Sequence, residues 1–177
     1  GTMGQLQVRN QIIEHCDPGL INAGIWEGLN KISAAFVMIA STSMGISYLP
    51  KMAGFKTSAE IHKELLLVYK IILPFILIIS LLIYLFKATL ISILYSPQFD
   101  SMQSLFLYQL IGDILKICSW LVAYLMLARS FVKSYIVFEA GYFFIWLTAN
   151  YFMVTKLGIK GAPIAYMCIN FLYLAAC

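Results

Sequence analysis

Charge is scarce in this chain, and so are histidine and cysteine. Lys, Arg, Asp and Glu make up 11% of 177 residues, where soluble domains carry roughly 25%. With 62% hydrophobic residues and a mean hydropathy of +0.87, a soluble fold would have to bury an implausibly large apolar core. The net charge of +4 is spread over loops and helix ends instead of being gathered in a basic arm, which argues against nucleic acid as a partner. The two histidines, His15 and His62, read as loop residues with no second ligand at metal spacing. The four cysteines (Cys16, Cys118, Cys168 and Cys177) have no CxxC spacing, and three lie in apolar runs, where a free thiol packs as a small hydrophobe. HExxH, a Walker loop, GxSxG and a Gly-rich phosphate cradle are all missing. The chain is therefore not read as an enzyme, and no cofactor or metal is implied.

What is present is long uncharged sequence. No ionisable acid or base interrupts Ile32 to Pro50, Ile71 to Phe86, Ala140 to Thr155 or Gly161 to Cys177. A hydrocarbon core of ~30 Å needs about 20 predominantly apolar helical residues, so the fold class is an all-α integral membrane bundle. Five spans are expected, near 24–49, 64–86, 104–128, 131–154 and 160–177. Leu49-Pro50 closes the first, Pro74 is expected to kink the second, and Ser96-Pro97 turns the chain before the third. The apolar Ala88–Tyr95 segment is too short to cross and reads as an interfacial helical piece. Short loops predict that consecutive spans are antiparallel neighbours.

Lys and Arg in the flanks give an orientation. Lys51, Lys56, Lys63, Arg129 and Lys133 fall on one side; Lys87, Lys156 and Lys160, with Arg9, fall on the other. The bias puts 51–63 and 129–133 in the cytoplasm. The sequence opens without an initiator Met or signal peptide, and residues 1–13 are too short to span. The expectation is a piece of a larger protein, with 1–23 a truncated helix end and external loop and 24–177 a transmembrane lobe.

Against this apolar background, Asp113, Lys116 and Glu139 stand at membrane depth, where an ionisable group costs several kcal/mol unless paired or facing water. Asp113 and Lys116 are three apart on one helix and share a face on which they can pair. At ~1.5 Å per residue, Lys116 lies roughly 18 Å below one surface and Glu139 roughly 14 Å above the other, so their depths agree. Two readings stand side by side: a self-neutralising ion cluster joining two helices, or the lining of a substrate cavity. Glu27 and Lys31 form an i, i+4 pair near the outer end of the first span, either snorkelling to the interface or pointing into a vestibule. Around them Gly24 and Gly28 have the spacing that permits close helix approach, and Trp26 reads as an aromatic-belt residue. Tyr108, Trp120, Tyr124, Tyr135, Tyr142, Phe143, Phe144 and Trp146 read as scattered, lipid-facing aromatics, with no marked sugar-stacking surface.

Ala23–Ser33 (AGIWEGLNKIS), Tyr48–Gly54 (YLPKMAG), Ser96–Ile117 (SPQFDSMQSLFLYQLIGDILKI) and Gly158–Met167 (GIKGAPIAYM) resemble the C-terminal half of Wzx-type flippases. These form the polysaccharide-transporter branch of the multidrug/oligosaccharidyl-lipid/polysaccharide exporter superfamily. The block from Gln109 to Lys116 is the most specific part, and the resemblance runs from Arg9 onward. It implies the C-terminal lobe of a twelve-helix, two-lobe flippase in the bacterial inner membrane, with these spans as helices eight to twelve. It further implies alternating-access transfer of undecaprenyl-diphosphate-linked oligosaccharide units, of O-antigen or enterobacterial common antigen type, to the periplasmic leaflet. Partners would be that lipid-linked substrate, membrane lipids, the missing N-terminal lobe and the glycan polymerase machinery. On this reading Lys116 and Lys31, the latter paired with Glu27, offer positive potential to the diphosphate. Asp113 and Glu139 hold those lysines or exchange a proton that resets the cycle, coupled to an ion gradient since no ATP site is present. The competing readings are a lipid II or drug exporter of the same superfamily, and a non-transporting membrane assembly subunit.

Overall fold

The computed structural model describes residues 2–16, 18–48, 51, 58–128 and 132–176, and among these the chain is helical with no strand. Helix α1 (Thr2–His15) turns at Pro18 into α2 (Gly19–Ser43), which ends in a π-helical turn, Met44–Tyr48. Then come α3 (Ser58–Leu85), the short α4 (Lys87–Leu94), a 3-10 segment (Pro97–Ser104), α5 (Phe106–Ala128), α6 (Val132–Leu157), a 3-10 turn (Gly158–Lys160) and α7 (Gly161–Ala176). The short apolar run forms α4, and Ser96-Pro97 stops it as expected: Ser96 is extended and Pro97 opens the next segment, where its missing N–H costs nothing. Helix α3 passes through Pro74 without ending, and the two histidines expected in loops lie in helices, His15 in the last turn of α1 and His62 within α3. The expected stop at Leu49-Pro50 lies outside the described residues.

By length and apolar composition four stretches are able to cross a membrane: Leu20–Ile46, Glu60–Leu85, Phe106–Tyr124 and Tyr135–Ala176. Five were expected. The last stretch, of 42 residues, takes in both α6 and α7, and α7 alone has 16 residues, about 24 Å at ~1.5 Å per residue. The two are folded on each other. Gly158 holds φ +61°, the left-handed conformation that ends α6, and Gly161 sits directly against the Met153 carbonyl, leaving no room for a side chain. The contacts Glu139–Tyr173 and Tyr142–Asn170 run in opposite senses along the two helices, so the hairpin is antiparallel. The chain is an all-α, multi-pass membrane bundle.

Helix α2 is the hub. Its buried residues and those of its π-helical turn enter three apolar clusters: Phe36, Val37 and Met44 with Ile76 of α3 and Ile117 and Leu121 of α5; Ala23 and Trp26 with Val8 and Ile12 of α1 and Val154 of α6; and Ile25 and Leu29 with Ile91, Met102 and Phe106. Tyr48 and Tyr69 donate their hydroxyls to the Leu121 and Cys118 carbonyls of α5 at 3.0 and 2.6 Å, tying α2 and α3 to it. The expectation that consecutive spans are the main neighbours is only partly met. Helix α5 touches α6 lightly and packs along α7 instead, because Gly112 removes the side chain that would meet the Tyr166 ring. Gly24 and Gly28 receive no helix. They make room for Tyr95, just after α4, and for Phe99 and Met102 of the 3-10 segment, and Tyr95 donates to the Gly28 carbonyl at 3.1 Å.

Candidate membrane-embedded cleft

Along α2, Glu27, Lys31, Ala34, Met38 and Ser41 recur every three or four residues and form one helix face. That face fronts a cleft walled by α1, α5, α6 and α7, made of three adjoining cavities. The first, about 370 Å³, is lined by Arg9, Glu27, Asn30 and Lys31. It shares Gln5, Trp26, Asn30 and Ala34 with the second, about 350 Å³, which reaches Ser33, Lys116, Trp120 and Tyr166. The second shares Lys116, Trp120 and Tyr142 with a chamber of about 190 Å³ that adds Glu139, Asn170 and Tyr173. Water occupies roughly 30 Å³ per molecule in the liquid, so even the smallest has room for several.

Of the five residues singled out from sequence, Glu27, Lys31, Lys116 and Glu139 line this cleft in that order. At its mouth Glu27 sits between Arg9 at 3.7 Å and Lys31 at 3.9 Å. All three side chains are at least two-fifths exposed, so the triple is a solvated one. Asn30 Nδ2, buried beside them, has no hydrogen-bond partner among the described residues. Deeper in, the Lys116 ammonium lies 5.2 Å from the Trp120 ring centroid and 5.3 Å from that of Tyr166, within cation–π range. Glu139 accepts from the Tyr173 hydroxyl at 3.0 Å on the chamber's other wall.

Asp113 behaves differently. It is wholly buried. Ser33 of α2 donates to it, with Oγ 2.7 and 2.8 Å from the two carboxylate oxygens, and Tyr166 of α7 donates to Oδ1 at 2.9 Å. Gln109 Nε2 donates in turn to Ser33 Oγ at 2.9 Å. Among the described residues Lys116 makes no ion pair, so the expected Asp113–Lys116 pair does not form. The physical reason is local. Hydroxyls from two neighbouring helices satisfy the acid, and two aromatic rings cradle the base. One face of α5 thus holds a sealed acid that binds three helices together and, one turn on, a base that opens to the cleft.

The aromatics also differ from expectation. Trp26 is buried at 5% exposure and lines the cleft; α1, packed antiparallel on α2, covers the face that would otherwise meet lipid. Trp120, Tyr142, Phe143 and Trp146 join it on the cleft walls, whereas Phe144 is 67% exposed and does point outward. Ser33, Gln109 and Tyr166 were not singled out from sequence. Gln109 was within reach, standing four residues before Asp113 on the same helix face.

The chain is 29% identical over 154 residues to the lipid III flippase of Escherichia coli (strain K12), an alignment covering 87% of this chain and 37% of that protein. The lipid III flippase of Shigella flexneri aligns with the same figures. The chain thus spans little more than a third of the length of the curated relatives it matches. No protein-family model matches it, and no solved structure does. The relatives are described as flippases, in agreement with the non-enzymatic reading of the sequence.

Proposed function

We propose that the chain is one lobe of an alternating-access flippase that moves a saccharide linked to a polyprenyl diphosphate across the bacterial inner membrane, of the O-antigen or enterobacterial common antigen type. The observation that carries the reading is the cleft itself. Among the described residues, three cations (Arg9, Lys31 and Lys116) and two carboxylates (Glu27 and Glu139) stand along it, inside a bundle whose outer surface is rich in exposed apolar side chains. A net positive, aromatic-walled crevice suits an anionic diphosphate bearing sugars better than it suits a cationic drug. The similarity to lipid III flippases favours a lipid-linked substrate, and lipid II shares the same diphosphate chemistry.

In this account Lys31 and Arg9 meet the diphosphate at the periplasmic end, and Lys116 holds it near the midplane. Trp26, Trp120 and Trp146 offer apolar faces to sugar rings. Glu139 faces Lys116 across the chamber and is the group placed to balance it when no substrate is bound, by charge or by exchanging a proton. Asp113 serves the architecture, fixing α2 and α7 to α5. The second lobe and the polymerase that uses the product complete the assembly.

Lys116→Gln in the intact protein is the test. With the variant at normal membrane levels, surface display of the glycan should fall at least tenfold. Unchanged display would remove Lys116 from the mechanism.

A further inference from the structure

We propose that the α6–α7 hairpin carries a groove for the prenyl chain of the lipid-linked substrate, entered from the bilayer and separated from the Lys116 chamber by one pair of tyrosine rings. The proposal rests on the substrate class of the preceding subsection and adds where its hydrocarbon lies.

A fourth cavity, about 340 Å³, opens on the outer side of the hairpin. Val137, Gly141 and Ile145 of α6, at i, i+4 and i+8, form one wall, and Ile169 and Leu172 of α7 the other. Val137, Ile145 and Leu172 are 70, 55 and 58% exposed, and a side chain added at Gly141 would meet nothing within 4 Å. The surface is apolar, concave and open along a helix face. Its floor is Tyr142 and Tyr173, the two residues that also wall the chamber holding Lys116 and Glu139. Their rings meet edge to face at 5.1 Å, and both hydroxyls turn inward, Tyr142 to Asn170 at 3.3 Å and Tyr173 to Glu139 at 3.0 Å. The two rings therefore present carbon to the groove and oxygen to the chamber.

That juxtaposition is what an amphiphile with an anionic head and a hydrocarbon chain requires. Depth identifies which amphiphile. Gly141 follows Val132, the start of α6, by nine residues, about 14 Å at ~1.5 Å per residue, near the middle of a ~30 Å core. A resident phospholipid keeps its head at the interface and has no use for a cation at the midplane. Only a lipid whose head is carried to the centre of the membrane engages the groove and the chamber together. The Tyr142–Tyr173 pair would part to let the diphosphate–prenyl junction through.

The experiment uses the intact protein in vesicles of dioleoylphosphatidylglycerol, with a polyprenyl diphosphate bearing a diazirine on its terminal isoprene. The expected result is photolabel in the peptides containing Gly141 and Leu172, reduced at least tenfold by unlabelled polyprenyl diphosphate. Gly141→Leu, which fills the groove, should cut labelling at least tenfold while melting no lower than the parent. Label in other helices, equal labelling of Gly141→Leu, or failure of the unlabelled diphosphate to compete would overturn the groove. Label elsewhere combined with a transport-defective Lys116→Gln rejects the groove alone. Competed label in the groove combined with normal transport by Lys116→Gln keeps the groove and rejects the cation's role.

Discussion

Tyr166 donates its hydroxyl to Asp113 Oδ1 at 2.9 Å, joining the middle of α5 to the first turns of α7. The same ring stands beside the ammonium of Lys116. One side chain thus satisfies the sealed acid with its oxygen and flanks the accessible base with its face. Tyr166→Phe keeps the ring and removes one of the donors to a buried carboxylate, and should lower unfolding stability by about 1–2 kcal/mol. Tyr166→Leu removes both and should also impair transport. Thermal melting in detergent, with glycan display measured alongside, separates the two effects; equal melting of Tyr166→Phe and the parent would contradict the assigned hydrogen bond.

Two glycines should respond in opposite directions to the same methyl group. At Gly112 an added carbon would lie 2.5 Å from the Tyr166 ring and 3.3 Å from the Met167 backbone, so α7 would have to move away from α5. Gly112→Ala should cost about 1–3 kcal/mol, as overpacking does. At Gly141 the carbon meets open space, and Gly141→Ala should stabilise by up to about 0.5–1 kcal/mol through helix propensity alone. Melting temperatures of the two variants give the comparison directly.

Glu27 holds Arg9 and Lys31 at the cleft mouth through two solvated contacts. Such pairs contribute about 0–1 kcal/mol, so Glu27→Gln should leave stability nearly unchanged. It also releases two cations, and binding of an anionic probe such as pyrophosphate should tighten, most clearly at low salt, where screening is weak. Calorimetric titration at two salt concentrations reads both consequences. Unchanged binding at low salt would mean that the mouth takes no part in anion capture.

The helices were legible in the sequence because uncharged runs of membrane length leave the backbone few alternatives, and the short helix α4 was legible because Ser96-Pro97 cuts a run too short to cross. The depth match between Lys116 and Glu139 followed from helical rise alone, and the two do face one chamber. The fate of Asp113 was not legible. Spacing along α5 offers Lys116 as its partner, while the donor that takes it, Ser33, lies 80 residues away on another helix. Trp26 was misassigned for a related reason: near a span's end a Trp suits the interface, and only the packing of α1 on α2 turns it inward. Facing direction depends on which neighbours a helix packs against, and in this bundle α5 packs far more on α7 than on α6.

The central claim is that water reaches Lys116 within the bundle while Asp113, one turn away, stays sealed. In an otherwise cysteine-free intact protein, Lys116→Cys and Asp113→Cys would each be treated in membranes with a charged, membrane-impermeant thiol reagent. The account predicts modification at 116 and protection at 113, with the label at 116 slowed by a polyprenyl diphosphate. Protection at 116 in every condition would contradict it, leaving a dry seam where the cleft is drawn.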